Sequence, residues 1–427
     1  MIIKKPELLA PAGNFTKLKT AFAFGADAVY IGGEYFSLRA QADNFTMDEI
    51  NDAVALANKL NKKIFVTMNI ISRDQDIEPI IKYAKELEEI GVHGVIIADI
   101  GTFMAVREAC PSLKIHVSTQ ANNLNWRTCN FWFENGAERI NLARELSIEE
   151  ISSINSNLLK MHPELAERDE ATPYLEAFVH GAMCMSFSGR CMLSDYLTGR
   201  SSNRGDCAQP CRWNYHIAEE KRPGEYMPIE ENDRGTFIFN SKDLCMIKYL
   251  PELIKAGVGS LKIEGRMKSE FYTAVTTRAY RRAIDECCKD IDSYSDNIAL
   301  LDELMKELCS VSHRDYSTGF YLGKRGEQIF SSSSYSRDSD FTGVVISSET
   351  ISGNELYETV FCLKGAFNTG DELEFLIPGE SENKKITVEK MRNAKGEYIE
   401  RAANAMMEVT VETPFYAEVG TVIRKWK

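Results

Sequence analysis

Residues 63–99 read KIFVTMNIISRDQDIEPIIKYAKELEEIGVHGVIIAD. Lys63 to Asn69 is an apolar run of strand length, Ile77 to Ile90 carries a helical pattern, and Gly94 to Asp99 is a second apolar run. Neither run alternates. A strand with one wet face alternates apolar with polar residues, whereas a parallel strand covered by helices on both faces is apolar throughout. The stretch therefore predicts one strand–helix–strand unit of a parallel sheet.

The unit repeats outward in both directions. Before it come a strand at Glu7 to Ala10, a helix at Phe15 to Phe24, a strand at Ala28 to Ile31 and a helix capped by Thr46 running to Leu60. After it come a helix at Thr102 to Ala109, a strand at Lys114 to Gln120, a helix at Trp126 to Glu134, a strand at Arg139 to Arg144, a helix capped by Ser147 and a strand at Leu175 to His180. Further on, Ser260 to Gly265 reads as a closing strand and Phe271 to Cys288 as the last helix of the series. About eight strands favour a closed, TIM-like (β/α)8 barrel over an open sheet. No GxGxxG follows any strand, which removes the main reason to prefer a dinucleotide-binding fold. One candidate is surplus: Thr236 to Asn240 is the doubtful strand, and Asp243 is read as the cap of a helix from Met246 to Ala256. The barrel domain is taken as 1–330. It carries a cysteine-rich insertion after strand seven, 181–215, and a hairpin, 213–231. The serine run Ser331 to Ser334 reads as a linker. From 336 to 427 short strand-like segments separated by turn residues predict a small all-β barrel domain.

Composition bounds the function. Of 427 residues 44% are hydrophobic and 26% charged, as in an ordinary globular protein, and the formal charge of −13 gives no overall attraction to nucleic acid. An RNA contact would need a local basic patch, and Arg190, Arg200, Arg204 and Arg212 on the insertion, with the tail Arg424 to Lys427, are the candidates. No apolar run reaches membrane-span length and the first residues lack a secretory pattern, so a cytoplasmic location is expected. There, eleven cysteines are not a disulfide framework. The oligomeric state is left open.

Four of the cysteines, Cys184, Cys191, Cys207 and Cys211, fall in one loop with spacing C-x6-C-x15-C-x3-C. The loop is poor in aliphatic residues and cannot hold itself by burial; four thiolates on one centre would supply the constraint. Such a set suits an iron–sulfur cluster or a structural zinc, and spacing alone leaves both open beside unrelated thiols. Cys245 is a further thiol that could replace one ligand or simply be a core residue.

In a parallel barrel the reactive groups stand past the C-terminal ends of the strands. Those positions are Asn14, Arg39, Asn69, Asp99, Gln120, Arg144, His180, Glu264 and Arg266, and the cysteine loop leaves from the same end. His180 and Glu264 are candidate acid–base residues. Arg39, Asn69, Gln120, Arg144 and Arg266 are candidate substrate ligands, the arginines suiting carboxylates or phosphates. The competing reading is a set of buried ion pairs. HExxH, GxSxG and the phosphate-binding GxxxxGK[ST] loop are all missing.

The segment Glu176-x-Phe178-x-x-Gly181-Ala182-Met183-Cys184-x4-Gly189-x-Cys191-x-Leu193-Ser194 resembles the signature of peptidase family U32, the collagenase-like proteins. The likeness extends to Leu9–Asn14, Asp27–Gly32, His116–Gln120, Asn203–Arg212 and Lys262–Arg266. It implies a [4Fe–4S] cluster on Cys184, Cys191, Cys207 and Cys211. It also implies hydroxylation without dioxygen of tRNA, ribosomal RNA or the ubiquinone ring. Within the family the chain is most similar to the branch that installs 5-hydroxyuridine at the wobble position of the tRNA anticodon, with prephenate as co-substrate. The alternatives carried with it are the collagenase-like peptidase of the family name and a zinc-containing RNA-binding protein.

Overall fold

The structure is a computed structural model that describes residues 4–38, 43–169, 172–184, 186–213, 216–218, 226–228, 242–323, 336–351, 353 and 355–427. Eight parallel strands form its first layer: β1 (Glu7–Pro11), β2 (Ala28–Gly32), β3 (Lys63–Met68), β4 (Gly94–Ile97), β5 (Ile115–Val117), β6 (Arg139–Asn141), β7 (Leu175–Ala182) and β8 (Ser260–Ile263). Each pairs with its neighbours in sequence, and β8 pairs with both β1 and β7, which closes the barrel. The TIM-like expectation holds, and the surplus strand is settled in favour of Ser260–Ile263. Thr236 to Asn240 and the serine run Ser331 to Ser334 lie outside the described residues.

Helices cover the outside. Their starts follow local chemistry: Thr46 and Glu49 form a capping box for Met47–Lys59, as do Ser147 and Glu150 for Ile148–Met161. Two strand-end candidates serve this purpose. The Asn14 side chain accepts from Lys17 N at the start of Phe15–Ala23, and Asp99 accepts from Thr102 N at the start of Ile100–Ala109.

The barrel interior is charged at its base. Arg139 donates to both oxygens of Glu7 (2.6 and 3.1 Å) and to Glu176 (3.1 Å), and Lys262 Nζ lies 2.8 Å from Glu176. All four are buried. Burial alone would neutralise Glu176, but Lys262 and Arg139 outweigh it and hold the carboxyl below its ordinary range.

Two local departures matter. The register of β7 against β8 shifts after Lys262↔Phe178, so that Ile263 pairs with His180 and Val179 is bulged. Asp243 caps no helix. It belongs to a short strand, Asp243–Cys245, antiparallel to the end of β7, and its carboxylate is buried against Arg314 at 2.8 Å. A burial site with its own counter-ion outcompeted the capping preference.

His216–Ala218 and Tyr226–Pro228 form an antiparallel pair. After the barrel, helix Ile298–Cys309 leads to an antiparallel half-barrel of eight strands with its own apolar core. Its last strand, Val422–Trp426, corrects the reading of the tail as a basic RNA contact. Arg424 is wholly buried and pairs with Glu374 (2.6 Å) and with Glu307 of the preceding helix (2.7 Å), while Lys425 pairs with Asp371. Arg424 therefore joins the two domains. No helix among the described residues is long and apolar enough to cross a membrane.

Candidate functional site

The C-terminal ends of the barrel strands and the cysteine loop enclose a cavity of about 450 Å³, within the usual range for small-molecule sites, about 300–1,000 Å³. Cys184, Cys191, Cys207 and Cys211 all line it. The loop reaches the mouth because Gly181 turns it: its φ is +103°, and a Cβ there would stand 2.4 Å from the Glu264 carbonyl oxygen. Gly205, at φ +96°, similarly lets the loop lie on the Ser37 carbonyl.

Polar side chains then fasten the loop. Glu145 accepts from the Ser188 backbone N–H (2.6 Å), Asn203 accepts from Cys191 N (3.1 Å), and Arg204 forks onto both oxygens of Asp76 (2.7 and 3.1 Å). Arg190 donates to the Gln120 carbonyl (2.8 Å), and Arg200 pairs with Asp206 (2.7 Å). Three of the four arginines expected to form an RNA patch thus make contacts within or beneath the loop. Each is engaged in holding the loop, and Arg200 and Arg204 have their charge matched by a carboxylate. The side chain of Arg212 lies outside the described residues. Glu145, Ser188 and Asn203 were not singled out from the sequence; their partners are remote or lie in the loop itself.

Two sulfurs receive backbone donors: Leu193 N–H to Cys191 (3.3 Å) and Gln209 N–H to Cys207 (3.4 Å). Among the described residues no three His, Cys, Asp or Glu side chains gather closely enough to share a single ion. The four thiols stand around the cavity wall instead. Cys245 is not one of them: it is buried outside the cavity near Tyr280 and Met305, and burial pushes its thiol up to about 11.

Of the barrel candidates, Asn69, Gln120, Arg144, Glu264 and Arg266 line the cavity. Asn69 donates to Gln120 Oε1 (3.1 Å). Arg144 donates to the Ala182 carbonyl (2.9 Å), lies 3.8 Å over the Phe178 ring and reaches Glu264 at 3.6 Å. Arg266 is buried and donates to Ser37 and Thr67 (2.9 and 3.0 Å). Glu264 also stands 3.5 Å from the Tyr30 hydroxyl. Arg39 lies outside the described residues.

His180 is corrected. Strand alternation would aim it inward, but the bulge at Val179 turns it to the side that Ile263 shares, toward the helices. It is 1% exposed, boxed by the rings of Tyr272, Tyr280 and Tyr316, and absent from the cavity wall. Burial pushes its pKa down to about 3. A neutral, walled-in imidazole is a structural residue. Its pH signature follows: below about pH 6.5 the unfolded chain binds a proton that the folded chain refuses, so stability falls as pH drops toward 3. His180→Gln should make the urea-unfolding free energy less pH-dependent between pH 6 and 4, by up to about 1.4 kcal/mol per unit. Activity of the folded variant should stay within a few-fold. Loss of activity without loss of fold would return His180 to the catalytic set.

A family model for peptidase family U32 matches residues 13–330, and one for the U32 C-terminal domain matches 337–424. The chain belongs to peptidase family U32. It is 37% identical to tRNA hydroxylation protein P1 of Bacillus subtilis, covering 100% of this chain and 96% of that one. It is 36% identical to tRNA hydroxylation protein P of Escherichia coli, covering 92% and 90%. A 23S rRNA 5-hydroxycytidine synthase of Escherichia coli is 36% identical over 65% of this chain and 39% of its own length. The U32 match spans β2 to β8 and the cysteine loop, so every residue lining the cavity lies within it.

Proposed function

We propose that this U32 chain hydroxylates RNA: it places oxygen at C5 of the wobble uridine of tRNA, without dioxygen, using a [4Fe–4S] cluster and prephenate. The observation that carries the reading is the convergence of four thiols and several cationic and amide side chains on one cavity. The names of its full-length relatives support the substrate class.

Cys184, Cys191, Cys207 and Cys211 would hold the cluster. Four cysteines on one cavity wall are the donor set such a cluster would take. The cluster would relay electrons, which side chains cannot, and prephenate would be both the oxygen source and the two-electron oxidant that C5 hydroxylation needs. The chain's own residues bind and orient. Arg144 and Arg266 bring guanidinium groups to the cavity wall, which suits a dicarboxylate such as prephenate. Arg144, 3.8 Å over the Phe178 ring, offers a guanidinium of the kind on which a splayed base stacks. Glu264 is positioned to hold the proton that leaves C5, with Arg144 and the Tyr30 hydroxyl beside it.

The peptidase alternative needs a thiol and an imidazole facing each other. Cys184 lines the cavity and His180 is turned away from it, so the described residues assemble no such pair.

The test is mass spectrometry of tRNA nucleosides from cells with and without the gene. Loss of 5-hydroxyuridine on deletion, restored by the intact gene, is expected. An unchanged nucleoside profile overturns the reading.

A further inference from the structure

We propose that Asn141 reads the edge of the pyrimidine that enters the cavity. The inference rests on the RNA-hydroxylase reading and names a recognition residue for it.

Asn141 ends β6 and faces inward, two residues beyond Arg139. Its side chain is 2% exposed and lines the cavity. Its Oδ1 is buried and has no hydrogen-bond partner among the described residues. Of the described side chains lining the cavity, Asn69 is paired with Gln120 and Arg266 with Ser37 and Thr67, whereas Arg144 Nε is, like Asn141 Oδ1, buried without a partner. The backbone carbonyl of Asn141 accepts from Asn123 Nδ2 at 2.8 Å, so the strand needs nothing from the side chain. A buried amide oxygen left unpaired destabilises the fold, and native proteins seldom keep one without a use. The Asn141 side chain lines a cavity from which a ligand would supply the missing donor.

Uracil offers the complement. Its N3–H donates to Oδ1 and its O4 accepts from Nδ2, two parallel hydrogen bonds on one edge. Pinning N3 and O4 fixes the rotation of the ring in its own plane, and with it the direction of the adjacent C5. Cytosine presents the reverse order, an acceptor at N3 and a donor at N4. The amide at 141 thus distinguishes the two bases as long as it keeps one orientation.

The experiment uses the cluster-loaded protein and two short anticodon hairpins differing only in uridine or cytidine at the wobble position. Asn141→Asp removes the donor and adds a second acceptor. It should weaken binding of the uridine hairpin about 10- to 100-fold and that of the cytidine hairpin distinctly less. Asn141→Leu is nearly isosteric and removes an unpaired polar group, so it should melt no lower than wild type while losing the uridine hairpin by a similar factor. Equal effects of Asn141→Asp on both hairpins, or wild-type uridine binding by either variant, overturn the proposal. So does a Leu variant that melts well below wild type, because the amide would then have a structural partner. Returning each gene to deleted cells separates the two levels. If wild type restores no 5-hydroxyuridine, the functional reading fails and takes Asn141 with it. If wild type and Asn141→Leu restore it equally, the Asn141 proposal alone fails.

Discussion

Arg139→Ala is expected to cost the barrel about 3–5 kcal/mol, a large share of a typical total of about 5–15 kcal/mol. The reason is what remains rather than what is removed. Glu7 and Glu176 are buried carboxylates that share this guanidinium at 2.6 and 3.1 Å. Arg139 also donates to Ser260 and to the Pro173 carbonyl, tying β6 to β8 and to the residues ahead of β7. Without it Lys262 still answers Glu176, while Glu7 keeps Lys63 at 3.8 Å and the Ser260 hydroxyl at 3.0 Å. The sign of the pH dependence separates this from a simple cavity. In wild type the Glu176 carboxyl is held below its ordinary range, so its contribution is present at neutral pH and fades as pH falls through that range. In the variant a carboxylate short of a cation gains by taking a proton, so the deficit should narrow as pH is lowered toward 5. A urea-unfolding deficit that is small, or constant from pH 7 to 5, would show that the network does not act as a coupled set.

That network also marks where sequence reading stops. The barrel was legible because parallel strands buried on both faces are apolar runs, and because Thr46 and Ser147 announce their helices locally. Arg139, Arg204 and Arg424 were not, because their partners lie 132, 128 and 117 residues away. A charged residue looks the same in a sequence whether it faces solvent or a buried carboxylate. His180 failed for a different reason. Its side was set by one bulged residue, and a bulge inverts the face of everything after it without changing composition. Asn141 carried a faint signal: a polar residue two places from Arg139 on a strand enclosed on both faces must point into the barrel. The strand-end rule points past it to Arg144, at the end of the same run. The cysteine quartet was legible to the extent that four thiols crowd one loop; that they would line a single cavity depends on Gly181, Gly205 and Glu145, whose roles are tertiary.

Serine at Cys191 should take the reconstituted protein from full visible absorbance and full RNA hydroxylation to background in both. The same is expected at Cys184, Cys207 and Cys211. Cys245→Ser is the control: that thiol is buried behind the cavity wall, so its replacement should leave the absorbance in place. The effect should reach the backbone as well as the colour. Residues 184–213 contain little regular structure beyond helix Leu193–Thr198 and short 3-10 turns, and Met192, Tyr196 and Trp213 stand exposed on them. Their order rests on a few hydrogen bonds, such as Asn203 to Cys191 and Arg204 to Asp76, and a bound cluster would add a cross-link between four separated points. Trypsin cuts after arginine, and Arg190, Arg200 and Arg204 all lie within the span so cross-linked. Cleavage there should be slow in the loaded wild type and fast in each ligand variant, giving one large fragment with β1 to β7 and another with β8 and the C-terminal domain. If the four serine variants keep the wild-type cleavage rate and absorbance, the loop is held by its hydrogen bonds alone and the thiols have another purpose.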